Sequence, residues 1–339
     1  MLLCRDYFNA PNIKITHGKA IVNVPCKKIQ KVRLEDICSF EAPAGSLTMV
    51  HNLRLKRMSD EKVDKTPVAG ITNWKKRNDG CYAIVTSLYD KLKDNSGTVG
   101  DPVADCTAVL ARPNNCVLIL ADGVSWGDRS RMAARSAVYG SLTYLAREET
   151  LTNAQTTRDV FRSILRSFEN AQKMITDEEA TLTTLCVGVV VELQEKDKWG
   201  FCVVNVGDSL GFVYNAQTGV REVTVGSHTI DQERDMRFSG GALGPADGYN
   251  PDLSNLTCSF TLLETGDIVY LTSDGISDNF DPGVGKFPIE FKSSPSMSRA
   301  QDKPLTPRER HTGMLLKMRQ VMAFVSSLCI NLKQFVAFV

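Results

Sequence analysis

Apolar residues gather in short runs from Asp101 onward, and each run stops at a polar turn. Cys106–Ala111 and Cys116–Ala121 predict two strands around the turn Pro113-Asn114-Asn115. The spacing then lengthens to the helical period. Ala134, Val138, Leu142 and Leu145 share one face of a helix from about Asp128 to Glu148. Phe161, Ile164, Phe168, Ala171 and Ile175 mark a second helix from about Thr157 to Ile175. Strands are expected again at Leu182–Leu193 and Trp199–Val206. Leu210–Tyr214 and Val220–Val225 read as a hairpin, and Phe260–Leu263 with Asp267–Thr272 as another.

Short hairpin links require antiparallel pairing, and helices clustered between blocks of strands favour α+β over a parallel α/β sheet. Strands that are apolar along most of their length need cover on both faces. The predicted fold is therefore α+β: two antiparallel sheets packed as a sandwich, with helices outside. Pro282 to Pro307 reads as a long polar loop. Thr306-Pro307-Arg308-Glu309 has the residue types of a capping box, and Leu315, Met318, Met322 and Val325 carry the apolar face of the helix that follows. Packing of that basic helix on the domain is expected, ahead of a membrane-surface role. Before Asp101 the pattern is weak, with a turn at Asn78-Asp79-Gly80, a short strand at Cys81–Val85 and a loop at Asn95-Ser96-Gly97.

Composition narrows the function. With 42% hydrophobic and 23% charged residues, the 339-residue chain can build a sizeable core. Lys and Arg number 40 against 39 Asp and Glu, so no global field draws it to nucleic acid or to an anionic membrane. Charge is uneven, however. Up to Gly80 there are fifteen Lys and Arg against eight acids, concentrated at Arg54–Arg57 and Lys75–Arg77, which read as a solvated flank ahead of a docking surface. The ten cysteines form no C-x-x-C pair, and Cys106, Cys116, Cys186 and Cys202 sit in apolar runs. They are expected to be buried free thiols of a reducing compartment, cytoplasmic with the nucleus as the alternative. No signal peptide or membrane span is expected. Asn255-Leu256-Thr257 fits a glycosylation acceptor but carries no weight in such a compartment.

The candidate chemistry is carboxylate chemistry. Asp122, Asp208 and Asp274 each end an apolar strand, Asp105 precedes one, and Asp278 follows Asp274 by a short turn. A single Asp-Gly is usually a turn. Several strand-end carboxylates meeting at one rim would repel each other unless a cation neutralised them. Oxygen donors select Mg²⁺ or Mn²⁺ over Zn²⁺. A pair of such ions could bridge a water and clamp a phosphoryl group. Gly123 could approach closely and offer its carbonyl. The chain has no P-loop, no G-x-S-x-G and no H-E-x-x-H. His17, His51, His228 and His311 read as surface or loop histidines.

At these positions the chain resembles the metal-dependent protein Ser/Thr phosphatases of type 2C, the PPM family. Asp105, Leu120-Ala121-Asp122-Gly123, Val204-Asn205-Val206-Gly207-Asp208-Ser209 and Leu271-Thr272-Ser273-Asp274-Gly275-Ile276-Ser277-Asp278 carry the likeness, over about Asp101 to Phe280. Gly240-Gly241-Ala242-Leu243-Gly244 is similar to the family's Ser-Arg-Ala-Leu-Gly. The resemblance implies a four-layer sandwich flanked by helices, in a domain spanning 99–339 behind an extension at 1–98 that is weakly structured or partly packed. It also implies two Mg²⁺ or Mn²⁺ ions held by Asp122, the Gly123 carbonyl and Asp274, with Asp105 beside them. Asp208 and Asp278 match residues for a weaker additional ion. The implied substrate is phosphoserine or phosphothreonine in a phosphoprotein. Nothing in the residues bears on the oligomeric state.

Four departures stand against this likeness. Val124 occupies the place of the family's His in Asp-Gly-His-Gly, and Ala104 that of the Glu in Glu-Asp. The family's phosphate-gripping Arg has no counterpart: Gly100 stands near its place, and Arg112 or Arg129 would have to substitute. The usual terminal strand with Asp-Asn is lacking, for the last Asp is Asp302, the last acid is Glu309, and only Asn331 offers a weak oxygen ligand. The expected function is a divergent protein Ser/Thr phosphatase. A catalytically impaired phosphatase fold that binds phosphoproteins or serves as a scaffold is the alternative, and a nuclease is disfavoured because no basic groove is visible.

Overall fold

The computed structural model describes residues 25–28, 37–38, 81–82, 85–289 with short gaps, 304–328 and 335–336. In chain order the strands are β1 (Ile37–Cys38), β2 (Cys81–Tyr82), β3 (Cys106–Arg112), β4 (Asn115–Ala121), β5 (Leu185–Glu192), β6 (Trp199–Val206), β7 (Leu210–Asn215), β8 (Gly219–Glu222), β9 (Thr257–Leu263), β10 (Ile268–Thr272) and β11 (Phe335–Val336). The helices are α1 (Asp128–Leu145), α2 (Glu148–Thr152), α3 (Thr157–Asp177), α4 (Asp274–Phe280), α5 (Pro282–Gly285) and α6 (Pro307–Leu328).

A six-stranded sheet runs in the order β1-β3-β4-β5-β6-β9, and a three-stranded one in the order β10-β7-β8; all pairs within both are antiparallel. The small pair β2 and β11 is parallel. Alternation along the strands divides the core into three layers. Leu110, Val117, Ile119, Val187, Val189 and Val204 face α1 and α3. Val109, Leu118, Leu120, Cys186, Val190 and Val203 face the opposite way and meet Val213, Val269 and Leu271 of the small sheet. The outer face of that sheet, with Phe212, Tyr214 and Tyr270, packs on Met314, Met318 and Met322 of α6. Helix, sheet, sheet and helix thus stack as the predicted four-layer α+β sandwich.

The expected helical faces are buried, including Ala134, Val138 and Leu142 of α1 and Phe161, Ile164, Phe168, Ala171 and Ile175 of α3. Thr156 and Asp159 form a reciprocal capping box at the start of α3. The box expected for α6 is present too: Thr306 N–H donates to Glu309 Oε2 at 2.9 Å and Glu309 N–H to Thr306 Oγ1 at 3.3 Å.

Other bounds move. α1 stops at Leu145, β5 starts at Leu185, β8 is Gly219–Glu222 and β9 begins at Thr257; of the strand expected at Cys81–Val85, Cys81–Tyr82 is strand, and 83–84 lie outside the described residues. The face of α6 is set by Met314, Met318 and Met322, with Leu315 partly buried beside it. The polar stretch after Pro282 opens with the short α5. From the N-terminal extension, Pro25 and Cys26 bridge to Thr156 and Leu193, and Cys26 joins the first core layer. Arg54–Arg57, Lys75–Arg77, His17, His51 and Asn331 lie outside the described residues. Cys106, Cys116, Cys186 and Cys202 are buried and in no disulfide, as are Cys26 and Cys258. Among the described residues no helix is long and apolar enough to cross a membrane.

Candidate functional site

Register brings the strand ends together. Cys106 pairs with Ala121, which sets Asp105 and Asp122 side by side just past the ladder. Leu185 pairs with Val206, and Leu210 with Thr272, so the turns after β6 and β10 leave the sandwich at the same edge. Asp208 lies in the first of these turns. The second leads into α4, where Asp274 and Asp278 stand one turn apart on one face. Asp105, Asp122, Gly123, Asp208, Asp274 and Asp278 all line a single cleft of about 640 Å³.

The backbone around Asp122 is held from several sides. Its N–H donates to Thr184 Oγ1 at 3.0 Å, and its carbonyl accepts from Thr184 N–H at 2.8 Å and Thr183 Oγ1 at 2.9 Å. Thr183 in turn exchanges both backbone bonds with Leu243, which gives the Ala242-Leu243-Gly244 segment its place behind the site. A Cβ on Gly123 would sit 2.4 Å from the Ser130 carbonyl and 3.0 Å from that of Ala104, so only glycine fits this wall. Thr183 and Thr184 were not singled out from the sequence. Their only signal was a strand expected at Leu182 that pairs as a ladder from Leu185.

Packing carboxylates at one rim perturbs them. Burial pushes Asp105 up to about 6; the Asp274 and Asp208 charges add to this, while hydrogen bonds with Asp122 and Ser273 oppose it. Burial, then the charges of Asp105, Asp274 and Asp208, raise Asp122 well above the usual carboxylate range. The site is therefore an oxygen-rich set of donors, with no Lys, Arg or His among the described residues that line the cleft. This set fits a hard divalent cation and fits poorly with softer metals.

The positions expected to depart from the family pattern are in the same wall. Val124, Ala104 and Gly100 line the cleft. The Tyr89 ring lies over Gly100, 2.3 Å from where a Cβ would be. Tyr89 meets Trp126 edge to face, with ring centroids 5.3 Å apart. Both are largely exposed, at 53% and 63%, so this part of the rim is aromatic. Arg129 does not supply the grip, since it is exposed and donates to the Glu179 carbonyl at 2.8 Å. The side chain of Arg112 lies outside the described residues.

Two features acquire partners in the structure. His228 lies in a loop as expected, whereas His311 lies in α6, and their Nε2 atoms bond to the two oxygens of the buried Glu222 at 2.8 and 2.7 Å. Asn255, which fits a glycosylation acceptor in the sequence, is half-buried and hydrogen-bonded to Gly207 on both backbone groups.

A family profile described as Protein phosphatase 2C matches residues 97–306. The PP2C-like domain-containing protein CG9801 of Drosophila melanogaster is 49% identical over 225 residues, covering 65% of this chain and 32% of that protein. The chain thus spans about a third of that relative's length. Among solved structures, the serine/threonine phosphatase PstP/Ppp of Mycobacterium tuberculosis is 17% identical, with a TM-score of 0.36 over 56% of this chain and 79% of its own. The S. agalactiae serine/threonine phosphatase is also 17% identical, with a TM-score of 0.39 over 65% and 88% respectively.

Proposed function

The chain belongs to the protein phosphatase 2C family, and on that footing we propose that its cleft hydrolyses phosphoserine and phosphothreonine in proteins with Mg²⁺ or Mn²⁺ as cofactor. The observation that supports this reading is the convergence of five carboxylates on one cleft lined by no described Lys, Arg or His. Asp122, Gly123 and Asp274 would hold two ions, Asp105 would support them through Asp122, and Asp208 with Asp278 would hold a weaker third. Bound there, such ions activate water and neutralise phosphoryl oxygens.

The chain's own residues set how well this works. Thr183 and Thr184 fix the Asp122 backbone, so its carboxylate is placed before a ligand arrives. Val124 has no proton to give, so the leaving serine or threonine oxygen takes its proton from solvent, and general-acid help of about 10²–10⁴ is forgone. With no described guanidinium in the lining, phosphate affinity rests on the bound cations. Turnover is therefore slow and strongly metal-dependent. The test is hydrolysis of phosphoserine and phosphothreonine peptides with Mn²⁺, with chelator and in Asp122→Asn. Release of phosphate that persists in chelator would count against the reading, as would metal binding with no turnover on any peptide.

A further inference from the structure

We propose that Glu222, His228 and His311 form a second metal site, distinct from the carboxylate cleft and suited to Zn²⁺. The three residues come from three separate elements. Glu222 ends β8, His228 follows the 3-10 turn Val225–Ser227, and His311 sits in the first turns of α6. One potential ligand atom from each lies within 4.8 Å of the other two.

The surroundings favour a cation. The Glu222 side chain has no exposure at all, and those of His228 and His311 keep only 27% and 15%. A buried carboxylate needs partners, and among the described residues no Lys or Arg pairs with this one. Its partners are the two imidazoles and the Thr224 hydroxyl, which donates to Glu222 Oε1 at 2.9 Å. Two imidazoles and one carboxylate make the N₂O donor set that borderline-soft Zn²⁺ accepts, with a fourth position left for water. A small cavity of about 90 Å³, lined by His228 and His311, adjoins the cluster and provides room for that water.

The rearrangement required is one of side chains: separations that now reach up to 4.8 Å close, and the hydrogen-bonded ones open. The Nε2 to Oε distances of 2.7 and 2.8 Å open to about 3.3 Å, the edge of a tetrahedron with bonds of about 2.0 Å. Each Nε2 would turn its lone pair to the metal, with the ring proton carried on Nδ1. Glu222 keeps its Thr224 bond, which orients the carboxylate.

The consequence is a cross-link. Bound metal would tie α6 to the small sheet and to the loop beyond β8. Asp208 and Asp278 line both this cavity and the large cleft, so the two sites share a wall. The cleft donors are all oxygens, whereas this cluster supplies nitrogen, which allows the two sites to be told apart by spectroscopy.

The test uses the untagged full chain titrated with Co²⁺ as a stand-in for Zn²⁺. One equivalent should give a visible absorption band of tetrahedral intensity that added Zn²⁺ abolishes. The band should persist in the Asp122→Asn, Asp274→Asn double variant and vanish in His311→Asn and in His228→Asn. Asparagine keeps a donor toward Glu222, and circular dichroism shows whether each variant is folded. If the histidine variants do not fold, the unmutated chain and the aspartate variant decide: a band in both, with no thiolate charge-transfer absorption, supports the site. Absence of a tetrahedral band overturns the proposal, as does a band lost with the aspartates or kept without His311.

Discussion

Asn255 grips Gly207 by both backbone groups: the Gly207 N–H donates to Asn255 Oδ1 at 3.0 Å, and Asn255 Nδ2 donates to the Gly207 carbonyl at 2.9 Å. Gly207 has φ of 103°, a conformation glycine adopts without strain, and it immediately precedes Asp208 in the cleft. The side chain thus acts as a second strand for one residue and fixes the turn that presents Asp208. Its Nδ2 also points at the Ser227 and Ser239 carbonyls, at 3.3 and 3.4 Å.

This arrangement ranks two substitutions. Asn255→Ala leaves the Gly207 groups without their partner and should cost about 1–3 kcal/mol. Asn255→Asp keeps an acceptor for the Gly207 N–H but turns a carboxylate toward three carbonyl oxygens, so it should cost more than alanine at pH 7. Urea unfolding of the two variants checks the order. An aspartate variant as stable as the parent would show that the amide donor does not hold the turn.

A second expectation concerns metal. If the cleft holds Mg²⁺ or Mn²⁺ only in the folded chain, either ion should raise the melting temperature, because a ligand of the native state stabilises it. Asp122→Asn combined with Asp274→Asn should remove most of that response. The same double variant in chelator should be at least as stable as the parent, because two like charges have left a crowded rim. Melting curves in chelator and in millimolar Mn²⁺ measure both effects. An undiminished Mn²⁺ shift in the double variant would place the ion elsewhere.

The sandwich was legible in the sequence because its signals are local. Trp199–Val206 and Cys116–Ala121 are apolar runs bounded by turn residues, and the two long helices carry unbroken stripes. The acids at the strand ends were legible for the same reason. The features without a local signal depend on partners distant in the chain. α4 has seven residues, too few to show a period, and so read as a turn. Glu222 meets His311 across 89 positions and Asn255 meets Gly207 across 48, and no window of sequence brings either pair together. Tyr89 lies in a stretch without periodicity, so nothing in the sequence placed its ring over Gly100.

The raised carboxyls give a sign to the pH dependence in chelator. Asp105 is pushed up to about 6 by burial first and then by the Asp274 and Asp208 charges. The folded state then binds more protons than the unfolded state between about pH 4 and 6. The stability Asp105 contributes is full below about pH 4 and is lost as pH rises through 6. Asp105→Asn lacks this loss, so its melting temperature should gain on that of the parent over the same interval. Thermal melts of both proteins in chelator from pH 4 to 7 provide the comparison. A difference that stays flat with pH would mean that Asp105 does not titrate in this range.

The aromatic rim gives a final expectation, which concerns phosphate binding. If Gly100 stands near the place of the family's phosphate-gripping arginine, as the resemblance implies, the Tyr89 ring fills the space a side chain would need there. Gly100→Arg alone should therefore destabilise the fold by about 1–3 kcal/mol, since the Cβ would lie 2.3 Å from a ring carbon. Tyr89→Ala vacates that space and forfeits its edge-to-face contact with Trp126. Combined, the two substitutions should be less destabilising than the sum of the single changes, because the clash exists only when both original and new side chains are present. The double variant would also bring a guanidinium to a cleft whose described lining has no other cation, and guanidinium binds phosphate in a bidentate manner. Its KM for a phosphopeptide in Mn²⁺ should fall several-fold, while kcat changes less because the arginine grips ground state and transition state alike. Strictly additive stability effects would show that Tyr89 does not occupy the arginine's space. Relieved strain with an unchanged KM would show that phosphate sits elsewhere in the cleft.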